Sequence, residues 1–145
     1  MNRSACARSG FTLTEVVMAM SIGGLMMAGT VSGYIQCMRQ VEWASYSFAA
    51  NSLAMQKLEQ TRAAKWDRLA YPAVDAVVST NFPVEVQVLD VPTSKTNVVY
   101  ATNYTTITTV STTPPLKMIR VDCTWQFLNR GVFTNTIATY RAPEQ

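Results

Sequence analysis

The chain has 145 residues, a net charge of +3 and 14% charged residues, which sets one domain as the prior and leaves roughly 100 residues for a folded unit once an apolar N-terminal segment is set aside. There is no histidine, and the three cysteines, Cys6, Cys37 and Cys123, show no C-x-x-C spacing, so no metal, cofactor or catalytic nucleophile is expected. Arg3 and Arg8 lie ahead of the apolar run and no strongly basic tract follows it, so nucleic acid is not an expected partner.

Residues 1–10 form a short basic leader that ends on Ser9-Gly10. From Phe11 to Ile35 the chain reads FTLTEVVMAMSIGGLMMAGTVSGYI, 25 residues with Glu15 as the one charge. As a helix this stretch is about 37 Å long, enough to cross a hydrocarbon core of about 30 Å. A cleaved secretory signal has a shorter core, although Val31 and Gly33 mimic a cleavage site that would leave Tyr34 at the new terminus. The cations Arg3 and Arg8 precede the span and Arg39 and Glu42 cancel after it, which keeps the N-terminus cytoplasmic and exports the folded part.

A carboxylate in such a helix costs about 2.5 to 3.5 kcal/mol at mid-bilayer and calls for a partner. One explanation is local: Thr12 and Glu15 have the T-x-x-E spacing of a capping box, and a first-turn acid suits the helix dipole. It leaves unexplained the small Ser9-Gly10 step that divides a basic leader from an apolar helix with no polar spacer. Further along, Gly29 and Gly33 form a G-x-x-x-G, a weak motif that lets helix backbones approach, and no proline precedes Pro72 to kink the helix.

The run G-F-T-L-T-E after a short basic leader resembles the class III signal of type IV pilins and type II secretion pseudopilins. The resemblance implies cleavage after Gly10 by a prepilin peptidase in the inner membrane and methylation of the new N-terminal Phe11. It also implies that Glu15 pairs with the terminal amine of a neighbouring subunit, which would supply the missing counter-charge. A buried ion pair is a poor source of stability but fixes register, because a shifted subunit leaves two charges unpaired in an apolar bundle.

Residues 36 to 69 read as a second stretch of helix continuous with the span, with Val41, Ala44, Phe48, Met55 and Leu58 on an apolar seam and Arg39, Gln56, Glu59 and Arg62 off it. The cations Lys57, Arg62, Lys65 and Arg68 are interleaved with Glu59 and Asp67, which reads as a solvated face. Pro72 halts the helix.

Strands follow, in a sheet expected over 83–141. PVEVQVLDV (83–91) alternates Val84, Val86 and Val88 against Glu85 and Gln87, a strand with one wet face. NYTTITTV (103–110) is β-branched and ends before Pro114-Pro115. KMIRVDCTWQF puts Ile119, Val121, Cys123, Trp125 and Phe127 on one face, and NRG turns the chain into VFTNTIATYR, a hairpin. The expected fold class is α+β: a long N-terminal helix, transmembrane and then soluble, packed on a small antiparallel sheet over a periplasmic unit of residues 36–145.

NSLAMQKLEQTRAAKW and the closing hairpin look similar to I-type minor pseudopilins and the related V-type minor pilins, with nothing matched over residues 70–115. The resemblance implies a non-catalytic subunit at the tip of a type II secretion pseudopilus, in contact with other pseudopilins through helix packing and sheet edges. A minor type IV pilin in pilus assembly, adhesion or DNA uptake is the alternative, and a signal-anchored periplasmic enzyme a third reading that needs two converging carboxylates. A Cys37–Cys123 bridge requires Cα atoms within about 7 Å, and a buried free thiol at Cys123 is the simpler expectation.

Overall fold

The computed structural model describes residues 10–89, 91, 98–127 and 130–144. Residues 1–9 of the expected leader, with Arg3, Cys6 and Arg8, therefore lie outside the described residues. Helix α1 (Leu13–Ala63) is followed by β1 (Trp66–Asp67), β2 (Val74–Asp75), a 3-10 turn at Ser79–Asn81, β3 (Glu85–Val88), β4 (Tyr100–Thr112), β5 (Pro115–Gln126) and β6 (Val132–Arg141). The strands form an antiparallel β1-β2 pair and an antiparallel meander in the order β3-β4-β5-β6. This is an α+β fold with one long N-terminal helix and antiparallel sheets, consistent with the pilin-like architecture.

The chain divides after Val41 into two compact units. In the first, every described residue is exposed, large side chains included: Leu13, Met20 and Met27 keep roughly three-quarters or more of their surface. The hydroxyls of Ser21 and Thr30 donate to the carbonyls of Val17 and Met26, both at 2.8 Å, so these polar side chains are satisfied within the helix and need no water.

In the second unit the helix buries Tyr46, Ala50, Ala54, Lys57, Leu58 and Thr61. This is a different stripe from the expected one, of which only Leu58 is buried; Phe48 is 77% and Met55 45% exposed. The reason is on the facing sheet. Its inward row carries Trp125, whose ring stacks on Tyr46 at 6.0 Å, and Phe127, whose ring meets Tyr46 at 5.8 Å and 59°, and a stripe of alanines leaves room for side chains of that volume. Trp125 also meets Phe133 at 5.2 Å and Trp43 at 6.5 Å, and its indole N–H donates to Asn135 Oδ1 at 2.9 Å. Asn135 in turn donates to the Ser47 carbonyl at 3.1 Å, so a polar chain stitches β5, β6 and α1 across the aromatic core.

The helix ends at Ala63, short of the expected residue 69. Arg141 of β6 donates to the Thr61 and Ala64 carbonyls, satisfying acceptors that a helix C-terminus leaves unpaired. Trp66 leaves the helical path to be 4% exposed, and Asp67 Oδ1 accepts from the backbone N–H groups of Leu69 and Ala70 at 2.9 and 3.0 Å, a turn that competes with helix. The previously unmatched segment after it is pinned by Lys117. That ammonium donates to Asp75 and to the Val77 carbonyl at 2.7 Å, and lies 4.8 Å from the Trp66 ring centre.

β5 follows expectation, with Ile119, Val121, Cys123, Trp125 and Phe127 all buried. Strand β4 is longer than expected, Tyr100–Thr112, and carries Ala101 and Asn103 into the core. The alternation in β3 is present with inverted polarity. Val84, Val86 and Val88 are 49–61% exposed, whereas Glu85 and Gln87 stand on the inner face. Two constraints set this: Leu89, on the same face as Glu85, is 4% exposed, and Lys57 Nζ, on the helix above, donates to Glu85 Oε2 at 2.7 Å. A buried ammonium left unpaired costs more than exposed valines do. Lys57 was expected on a solvated face and is 8% exposed.

Candidate processing and assembly site

The residues the sequence singles out for processing and assembly lie in and just before the first turns of α1. Gly10 and Phe11 precede it, and Phe11 is 88% exposed. A Cβ at Gly10, Gly29 or Gly33 would meet nothing within 4 Å. Among the described residues nothing crowds these positions.

At Glu15 the expected capping box is present. The Thr12 backbone N–H donates to Glu15 Oε2 at 2.9 Å, the Thr12 hydroxyl donates to the same oxygen at 2.8 Å, and the Glu15 N–H reaches back to Thr12 Oγ1 at 3.4 Å. Among the described residues no cation pairs with Glu15. The box satisfies part of the carboxylate's hydrogen-bonding capacity and none of its charge, since threonine neutralises nothing.

Residues 6–31 match the family model described as the prokaryotic N-terminal methylation motif. The chain carries the methylation motif characteristic of type IV pilins and pseudopilins. The matched stretch contains Gly10, Phe11 and Glu15, together with Gly29. No curated protein and no solved structure matches the chain. The motif is that of chains processed by a prepilin peptidase and assembled with other pilins. Helix α1 is long and apolar enough to cross a membrane, and its place near the N-terminus fits a single-pass anchor.

A cleft of about 380 Å³ is lined by Glu59, Arg62, Ala63, Tyr140, Arg141 and Ala142; its one carboxylate, Glu59, accepts from Arg62 at 2.7 Å. Cys37 is free and exposed; Cys123 is free and buried, its thiol pushed up to about 11 by desolvation, so the conceivable Cys37–Cys123 bridge is not formed. The ion pairs that set the sheet's position, Lys57–Glu85 and Lys117–Asp75, carry no motif. Their sequence separation of 28 and 42 residues hides them from any local pattern.

Proposed function

We propose that this chain is a minor pseudopilin. Residues 1–10 are its leader, residues 11–35 its membrane span, with the N-terminus cytoplasmic, and the remainder its periplasmic unit. Prepilin peptidase cuts after Gly10, Phe11 is methylated, and Glu15 keys the subunit into a filament by pairing with the terminal amine of a neighbour. Gly29 and Gly33 let neighbouring spans approach closely. The filament is the pseudopilus of a type II secretion machine, with this chain among the subunits at its tip.

The observation that carries this reading is Glu15, the one charge of the apolar stretch from Phe11 to Ile35, capped by Thr12 and paired with no cation among the described residues. The cost of keeping it there is offset when the counter-charge arrives from another subunit. Gly10→Ala tests the processing step: mass spectrometry should find an uncleaved, membrane-bound precursor, whereas the parent begins at a methylated Phe11. A mature N-terminus at Tyr34 would return the span to an ordinary secretory signal. Deleting the chain from its host separates export from piliation. Loss of extracellular protein with surface pili retained supports the secretion role, and the reverse outcome supports a minor type IV pilin.

A further inference from the structure

The peptide bond between Gly10 and Phe11 lies just outside helix α1: residues 10 to 12 are not helical and the helix begins at Leu13. An apolar helix already nucleated gains one hydrogen bond for each residue it adds, so it propagates upstream unless something stops it. One more turn would send the Glu15 N–H to the Phe11 carbonyl and the Thr14 N–H to the Gly10 carbonyl, the partners that α-helical spacing assigns.

The side chains of Thr12 and Glu15 intercept this extension. The Glu15 N–H reaches Thr12 Oγ1 at 3.4 Å, while the Thr12 N–H and hydroxyl both donate to Glu15 Oε2, at 2.9 and 2.8 Å. Among the described residues the first carbonyl that the helix engages is that of Thr12, which accepts from the Val16 N–H at 3.3 Å. Gly10 supports the same boundary from upstream, since glycine loses more backbone freedom than any other residue on entering a helix.

The boundary matters for hydrolysis of this bond. Water adds to the Gly10 carbonyl carbon, the bond to the Phe11 nitrogen breaks, and Gly10 leaves as a carboxylate while the Phe11 amine takes the proton. An enzyme assists by directing donors at the carbonyl oxygen as charge develops there. A Gly10 carbonyl held by the Thr14 N–H has that oxygen occupied and is covered by the helical turn. A carbonyl outside the helix presents it freely.

We propose that Thr12 is a positioning residue for the cleavage: its capping box with Glu15 starts the helix at Leu13 and so keeps the Gly10–Phe11 bond open to the peptidase. The proposal rests on the processing reading of the chain and adds to it the residue that holds the cut site ready. Removing the cap closes the site rather than fraying the helix, because N–H groups unpaired in hydrocarbon are costly and the nearest free acceptors are the Phe11 and Gly10 carbonyls. Glu15 then serves twice, through its hydrogen bonds before the cut and through its charge in the filament.

The test follows cleavage of the full-length precursor in detergent by membranes containing the prepilin peptidase, with initial rates taken over a range of precursor concentrations. Thr12→Val keeps the shape of the side chain and loses the hydroxyl, whereas Thr12→Asn changes the shape and keeps a strong cap. Loss of a typical cap shifts the balance toward the closed helix by roughly fivefold, so Thr12→Val should raise KM about fivefold at unchanged kcat, only the open fraction being bound. Thr12→Asn should stay within about twofold of the parent. The Thr14 amide should exchange with solvent more slowly in Thr12→Val than in the parent, its N–H then holding the Gly10 carbonyl. A Thr12→Val precursor with the parent's KM, or with unchanged Thr14 exchange, overturns the proposal. So does Thr12→Asn failing as Thr12→Val does, since the peptidase is then reading threonine itself, or a loss confined to kcat, which puts Thr12 at the reacting atoms. A parent cut after Gly10 alongside an equally well cut Thr12→Val removes the role of the cap alone, whereas a parent N-terminus at Tyr34 removes the processing reading.

Discussion

At Glu15 the hydrogen bonds and the charge part company. Thr12 binds the carboxylate through two donors, and glutamine at this position would keep the helix start largely capped while removing the charge. If Glu15 serves only to cap, Glu15→Gln should enter filaments as the parent does. If it keys assembly, Glu15→Gln should be cleaved and methylated normally yet be depleted severalfold from sheared filaments, as read by quantitative immunoblotting. A second carboxylate sets a pH dependence. The hydrogen bond from Lys57, then that from Gln87, hold the Glu85 carboxyl below its ordinary value of 4.5. Because the folded-state value is depressed, the stabilisation is complete above the unfolded value and fades as pH falls through the folded one. Thermal melts of the full chain in detergent should therefore show the parent above Glu85→Gln near neutrality, with the two converging as pH falls below the ordinary carboxylate value of 4.5.

Helix α1 shows how an element's limits are set from outside. Its sequence has no stop signal before Pro72, yet the helix ends at Ala63 because Trp66 is needed in the core and Arg141 captures the last carbonyls. Arg141→Met keeps the aliphatic stem, removes those donors and unpairs Glu144, and should cost about 1 to 3 kcal/mol in denaturant melts of the detergent-solubilised chain. Strand β3 carries the parallel lesson. Period-two alternation identifies a strand but not which face turns inward, and a single buried lysine on another element reverses the hydrophobic choice.

For the second unit as a whole, the aromatic cluster is the centre of the fold. Trp125 touches Trp43, Tyr46, Phe127 and Phe133 and bonds Asn135, which itself holds the Ser47 carbonyl of the helix. Trp125→Ala should destabilise by about 3 to 5 kcal/mol, and Trp125→Phe by less, since the ring is kept and one hydrogen bond is lost. Loss of the near-ultraviolet circular dichroism band on heating would report both midpoints. A Trp125→Ala chain that melts with the parent would show that the helix is held to the sheet by something other than this cluster.

Features that rest on neighbours in the chain were open to sequence reasoning: the methylation motif with Gly10, Phe11 and Glu15, the Thr12–Glu15 box, the apolar stretch with Glu15 as its one charge, and the β5–β6 hairpin with its buried row from Ile119 to Phe127. Each is written in spacings of one to four residues or in strict alternation, so the local pattern contains all the physics it needs. What the tertiary structure alone decided was which of two apolar helix stripes is covered, where the helix stops, and which way β3 faces. Those choices turn on the bulk of Trp125 in the core it shares with Ala50 and Ala54, the reach of Arg141, and the charge of Lys57 beside Glu85. Volume and charge act through space, between residues tens of positions apart, and folding must bring them together before either can choose.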